Sequence, residues 1–122
     1  MEDWRSLEKT LAAACDEPDE ATAERAVRAA ELVAAEGSLG HYVWSFEPEP
    51  RATGLDRAGL ADLGATSESR ALAADLKRRG WRFVGPTTVY AFMQSMGLVN
   101  DHMAGCAAYE PAAQRRAAFA TP

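Results

Sequence analysis

The 122-residue sequence predicts an all-α protein. Alanine is abundant and β-branched residues are sparse, so intrinsic preference favours helix over sheet. Apolar residues recur three and four positions apart, the spacing that gathers side chains on one helical face, and glycine or proline closes most of those runs.

Taken in order, Asp3 to Ala14 places Trp4, Leu7, Leu11 and Ala14 on one face of a first helix. The run Asp16-Glu17-Pro18-Asp19 breaks it, and Asp16 or Asp19 can cap the next helix. That second helix is expected from Glu20 to Ala35, with Ala23, Val27, Ala30 and Ala34 inward, Leu32 and Val33 flanking, and Gly37 as its stop. Leu39 to Phe46 reads as a short helical turn carrying Tyr42, Val43, Trp44 and Phe46. From Glu47 to Gly64 the chain is rich in proline, glycine and charge, which predicts a long surface connection.

Thr66-Ser67-Glu68 opens another helix with a hydroxyl cap and an acid in the first turn. Leu72 and Leu76 form its apolar pair and Gly80 ends it, after which Trp81, Phe83 and Val84 are expected to cross into the core. Pro86 suits the first turn of the next helix, expected to bury Val89, Phe92, Met93 and Met96 and to stop at Gly97. A last turn holds His102 and Cys106, and the tail from Pro111 is expected to fray. The domain reading is residues 1–22 as a divergent N-terminal helix and linker, 23–110 as the helical region, and 111–122 as a flexible tail.

Composition sets the class. With 48% hydrophobic and 25% charged residues the chain reads as a globular domain in water. No apolar run reaches the roughly 18 residues a membrane span needs, and the acidic start lacks a signal-peptide pattern, so the expected compartment is the cytoplasm. A disulfide between Cys15 and Cys106 is poorly suited to that compartment. The net charge of −5 argues against strong phosphate-driven binding to nucleic acid. Yet Arg70, Lys77, Arg78, Arg79 and Arg82 cluster with Asp75 as their single acid, so two readings stand: a local phosphate-facing patch, with Arg78 and Arg79 at its centre, or a solvated helix end whose cations suit the macrodipole.

Four groups carry possible chemistry. His102-x-x-x-Cys106 would bring an imidazole and a thiolate to one face if helical, as two of the four ligands a structural zinc site uses; Cys15 and His41 are the other candidates of the usual kind, and spacing alone is weak support. Asn100-Asp101-His102 reads either as acid–base or histidine-orienting chemistry, or as an Asn-Asp cap on the last turn. Trp44, Trp81 and Tyr90 read either as stacking surfaces for an extruded base or as core fillers. Glu47 and Glu49 are paired carboxylates on a proline-rich connector, where solvation is the simpler reading.

The run Gly80-Trp81-Arg82-Phe83-Val84-Gly85-Pro86-Thr87-Thr88-Val89-Tyr90-Ala91-Phe92-Met93-Gln94-Ser95-Met96-Gly97-Leu98-Val99-Asn100-Asp101-His102 resembles the signature of the DNA-3-methyladenine glycosylase I family. Tyr42-Val43-Trp44-Ser45-Phe46 and Ala65-Thr66-Ser67-Glu68-Ser69 resemble the same family in the same order. The resemblance runs from about Ala23 to Tyr109 and implies a helical domain of the helix-hairpin-helix DNA glycosylase type, truncated at its N-terminal side. It implies hydrolysis of the N-glycosidic bond of 3-methyladenine in alkylated DNA after base flipping. It also implies zinc, with His102 and Cys106 matching the C-terminal two of four ligands.

The departures are equally informative. Nothing in Met1 to Thr22 matches the family's Tyr-His-Asp-x-Glu-Trp-Gly block or the helix with its catalytic glutamate and stacking tryptophan. Cys15 to Glu20, where the family's phosphate-binding hairpin belongs, lacks its glycine and is acidic. No catalytic residue is therefore assigned. The expectation is a shortened form inactive alone, with an incomplete zinc site and weak DNA binding. The rivals are half of a split enzyme with an N-terminal partner and a non-catalytic helical interaction domain, in which a Trp4, Leu7 and Leu11 stripe covers the exposed core or makes a homodimer contact.

Overall fold

A computed structural model describes residues 20–51, 54–61 and 63–122. The expected helix around Trp4, Leu7 and Leu11, and the acidic break after it, lie outside the described residues. Among the described residues there are six helices: α1 (Glu20–Glu36), α2 (Leu39–Trp44), α3 (Arg57–Ala61), α4 (Ser67–Arg78), α5 (Pro86–Met96) and α6 (Tyr109–Ala118). No strand occurs among the described residues; an isolated bridge joins Leu55 to Met103.

Local chemistry explains the boundaries. Ser38 caps α2 by accepting from the His41 amide. Thr66 and Ser69 cap α4 reciprocally, each side chain taking the other's backbone N–H. Gly80 and Gly97 enter the left-handed region at φ 88° and 84°. There Trp81 N–H returns to the Leu76 carbonyl and Leu98 N–H to the Met93 carbonyl, closing α4 and α5 on their last turns.

The core joins Leu32 of α1, Tyr42 of α2, Leu72, Ala73 and Leu76 of α4, Val89 and Met93 of α5, and Leu98. Helices α4 and α5 pack as a hairpin, and α1 packs on α2. Two expected helix faces are corrected. Among the described side chains of α1 the buried one is Leu32, whereas Val27 is 52% exposed and Ala23 and Ala34 face solvent. One large aliphatic side chain gains more by burial than a stripe of methyl groups, so it sets the helix's rotation. On α5 the inward residues are Val89, Tyr90 and Met93, while Phe92 and Met96 are exposed. Burying Tyr90 gives its hydroxyl a partner in Asp101, and that rotation moves Phe92 outward.

Two further expectations are corrected. The connector is not a plain surface loop: it holds α3, whose first turn is capped by the Asp56 carboxylate. It is also pinned to the far end of the chain, Ala104 N–H donating to the Leu55 carbonyl at 2.7 Å. Gly54 permits that approach, since a Cβ there would lie 2.7 Å from the Ala104 nitrogen. The stretch from Pro111, expected to fray, continues α6. Arg116 of α6 grips the Glu47 carboxylate through Nε and Nη2, and its guanidinium lies 5.1 Å from the Trp44 ring centre. Phe119 completes the contact at 5.1 Å from the same ring. A planar guanidinium bonded to both carboxylate oxygens and stacked on an indole holds one geometry, which a tail of alanines alone does not announce.

Candidate functional site

The segment after α5 concentrates the candidate chemistry. Asp101 is the best-defined group: buried, it accepts from the Tyr90 hydroxyl on Oδ2 and from Arg51 Nε on Oδ1 at 2.7 Å. Burial, then the bond to Asp101, raises the Tyr90 pKa above the ordinary tyrosine range. The bond to Asp101 likewise raises that of Arg51. Asp101 thus fastens α5 to the connector and neither orients His102 nor serves as a helix cap. Its neighbour Asn100 donates from Nδ2 to the Tyr109 carbonyl at 2.9 Å, tying the segment to the start of α6.

His102 and Cys106 do not share a helical face. They flank a turn in which Gly105 has φ 81° and Cys106 N–H donates to the Met103 carbonyl. Both side chains are exposed, and Cys106 is a free thiol. Among the described residues no group of three or more His, Cys, Asp or Glu could hold a metal ion. The pair therefore does not make a closed four-ligand site with other described residues. His41, the other candidate histidine, lies with Nδ1 3.3 Å from the Pro122 carbonyl oxygen; Cys15 is outside the described residues.

The basic cluster divides. Arg79 pairs with Glu36 and, at 2.9 Å, with Asp75, and its guanidinium lies 5.0 Å from the Tyr42 ring centre. The Tyr42 hydroxyl donates to the same Asp75 oxygen, and burial raises its pKa despite Arg79. Arg79 is thus a bracket between α1, α2 and α4, its guanidinium engaged by two carboxylates. Arg78 is solvent-facing yet paired with Asp75, and Arg82 sits 3.8 Å from Glu24. Arg70 and Lys77 are exposed.

The aromatic candidates are core or clasp residues. Tyr90 is 4% exposed, Trp81 packs against the core, and Trp44 contacts both Phe119 and Arg116. Glu47 is held by Arg116 and Glu49 is exposed, so the two carboxylates do not act as a pair. The groups that sequence reasoning missed are Arg51 and Arg116, whose partners lie 50 and 69 positions away. An arginine beside a proline or at the edge of an alanine run carries no local sign of such a partner. Phe83, expected to cross into the core with Trp81 and Val84, is instead 84% exposed at φ 61°, while the other two pack against the core.

A family model described as methyladenine glycosylase matches residues 19–109. The DNA-3-methyladenine glycosylase 1 of Escherichia coli is 47% identical over 70 residues, covering 56% of this chain and 36% of that protein. The DNA-3-methyladenine glycosylase of Haemophilus influenzae is 43% identical over 70 residues, covering 57% and 37% respectively. A crystal structure of a 3-methyladenine DNA glycosylase I matches with a TM-score of 0.53 at 42% identity, over 67% of this chain and 46% of that one. The chain therefore spans little more than a third of these curated relatives. Matched over residues 19–109, the chain belongs to the methyladenine glycosylase family.

Proposed function

We propose that this chain is the C-terminal helical portion of a base-excision DNA repair glycosylase acting on 3-methyladenine in alkylated DNA in the cytoplasm, and that it lacks glycosylase activity by itself. The match over residues 19–109 carries the family part of this reading. The inactivity follows from the carboxylates. Hydrolysis of an N-glycosidic bond needs a general base or a charge-stabilising carboxylate beside the sugar. The buried Asp101 and the partly buried Asp75 are both committed to tyrosine and arginine partners. Incubated with methylated DNA, the chain alone is expected to release no 3-methyladenine above a heat-denatured control, while a full-length relative does. Heat-sensitive release by this chain would overturn the reading.

DNA contact is expected to be weak and carried by α4, the turn from Arg79 to Gly85, and α5, a helix, hairpin and helix in sequence. Lys77, Arg82 and Arg70 supply exposed cations, and Gly85 caps α5 without a side-chain bond, leaving first-turn amides for a phosphate oxygen. In anisotropy titrations across a salt series, removing Lys77 and Arg82 together is expected to flatten the log–log slope by about 2, at about 0.9 per phosphate contact. Submicromolar affinity at physiological salt, unchanged by those substitutions, would refute this surface.

A second reading is favoured by α5, whose Phe92 and Met96 lie exposed four residues apart. They suit a partner polypeptide carrying the rest of a glycosylase. In that assembly His102 and Cys106 would supply two zinc ligands and the partner the others.

A further inference from the structure

Phe83 stands in the turn between α4 and α5 with 84% of its surface exposed. Its φ of 61° lies in the left-handed region, which a residue carrying a Cβ enters at a cost. The turn has one other left-handed position, Gly80, where glycine removes that cost. Burial does not offset the strain at Phe83. The turn is anchored by Trp81 and Val84, which pack against the core while the Phe83 ring stands clear of it. The fold thus carries a ring that weakens it twice, through backbone strain and through exposed apolar surface. Such an arrangement persists where a side chain serves a contact outside the chain.

The surroundings of the ring choose the occupant. Arg82, the residue before it, has a side chain 73% exposed and 3.8 Å from Glu24. Lys77 and Arg78 are exposed on the last turn of α4. Asp75 engages Arg78, so Lys77 and the loosely held Arg82 are the cations this turn offers. A partner polypeptide would meet the ring with apolar side chains and has no need of these cations. A nucleic-acid strand uses both, with phosphates on the cations and a base face on the ring.

We propose that Phe83 is a stacking platform for an unpaired nucleic-acid base, on a strand whose phosphates lie against Lys77 and Arg82. This rests on the DNA-contact surface proposed above and adds its non-ionic component. The ring has no hydrogen-bonding atom, so it accepts any base without regard to sequence. In a paired duplex the base faces are covered by their neighbours, so single-stranded DNA is the favoured form.

Anisotropy titrations at low salt with a short thymidine oligonucleotide and an abasic oligonucleotide of the same length test this, because the two share phosphates and differ in bases. The parent chain is expected to bind the thymidine strand about tenfold more tightly, the scale of one stacked base. Phe83→Gly, which also relieves the left-handed strain, is expected to abolish that preference without lowering the Tm or changing the salt slope. Phe83→Trp keeps a stacking face and is expected to keep the preference. Equal binding of both strands by the parent, or a preference that survives Phe83→Gly, overturns the proposal and leaves the cationic surface standing. Binding of neither strand overturns that surface as well. If Phe83→Gly leaves both affinities unchanged but lowers the mass of the concentrated protein in solution, the ring is a contact between copies of this chain and the proposal falls.

Discussion

Met93→Ala is expected to destabilise the protein by about 3 kcal/mol, within the roughly 2–5 kcal/mol seen when large buried aliphatic side chains are cut to alanine. Met93 is 0% exposed and lies where α5 meets α4, so the truncation removes apolar contact and leaves a void. Met96→Ala, one turn further along, is expected to cost less than about 0.5 kcal/mol, as for ordinary surface positions. Met96 is 55% exposed. Urea denaturation of the two variants decides the rotation of α5. Equal losses would restore the inward face that spacing alone suggests, with Phe92 and Met96 buried.

Asp101→Ala is expected to cost about 2–3 kcal/mol. The variant strands the buried Tyr90 hydroxyl without an acceptor, a penalty of roughly 1–3 kcal/mol, and cuts the tie to the connector. Arg51 softens the loss, because its side chain is 41% exposed and water can take the freed charge. A double-mutant cycle with Tyr90→Phe isolates the bond. The second substitution is expected to cost about 1 kcal/mol in the parent chain and almost nothing after Asp101→Ala. Additive losses would show that the pair is not coupled. The same hydroxyl sets an alkaline limit. Its folded-state pKa is raised, so its contribution is intact below the ordinary tyrosine value of about 10 and is lost as pH rises above it. Tyr90→Phe is expected to flatten that alkaline decline in a stability–pH series.

The features legible in the sequence were local ones. Thr66, Gly37, Gly80 and Gly97 announce helix ends by their own conformational chemistry, and the structure uses each of them so. The family resemblance came from contiguous blocks and is matched over residues 19–109. The illegible features depended on partners far along the chain. The rotation of α5 turns on whether Tyr90 or Phe92 goes inward, and that turns on Asp101. The helix after Tyr109 is docked by a carboxylate 69 positions earlier. Arg79 belongs to a basic run in sequence, yet Glu36 and Asp75 enclose it in space. The His102–Cys106 spacing was legible too, but the turn at Gly105 decides that the two do not share a helical face.

The attachment of the connector at Arg51, Gly54 and Leu55 to Asp101 and Ala104 has a consequence for how the chain folds. These contacts make a belt, with α4 and α5 lying along the chain between its two ends. The hairpin inside it forms from near neighbours in sequence and can assemble first. The belt can fasten only afterwards, because bringing its ends together gains nothing until the hairpin presents them. The entropic cost of closing such a loop grows only logarithmically with its length. The stretch around α3 is therefore where this fold tolerates inserted residues, while the buckle at Gly54 leaves no room for a side chain.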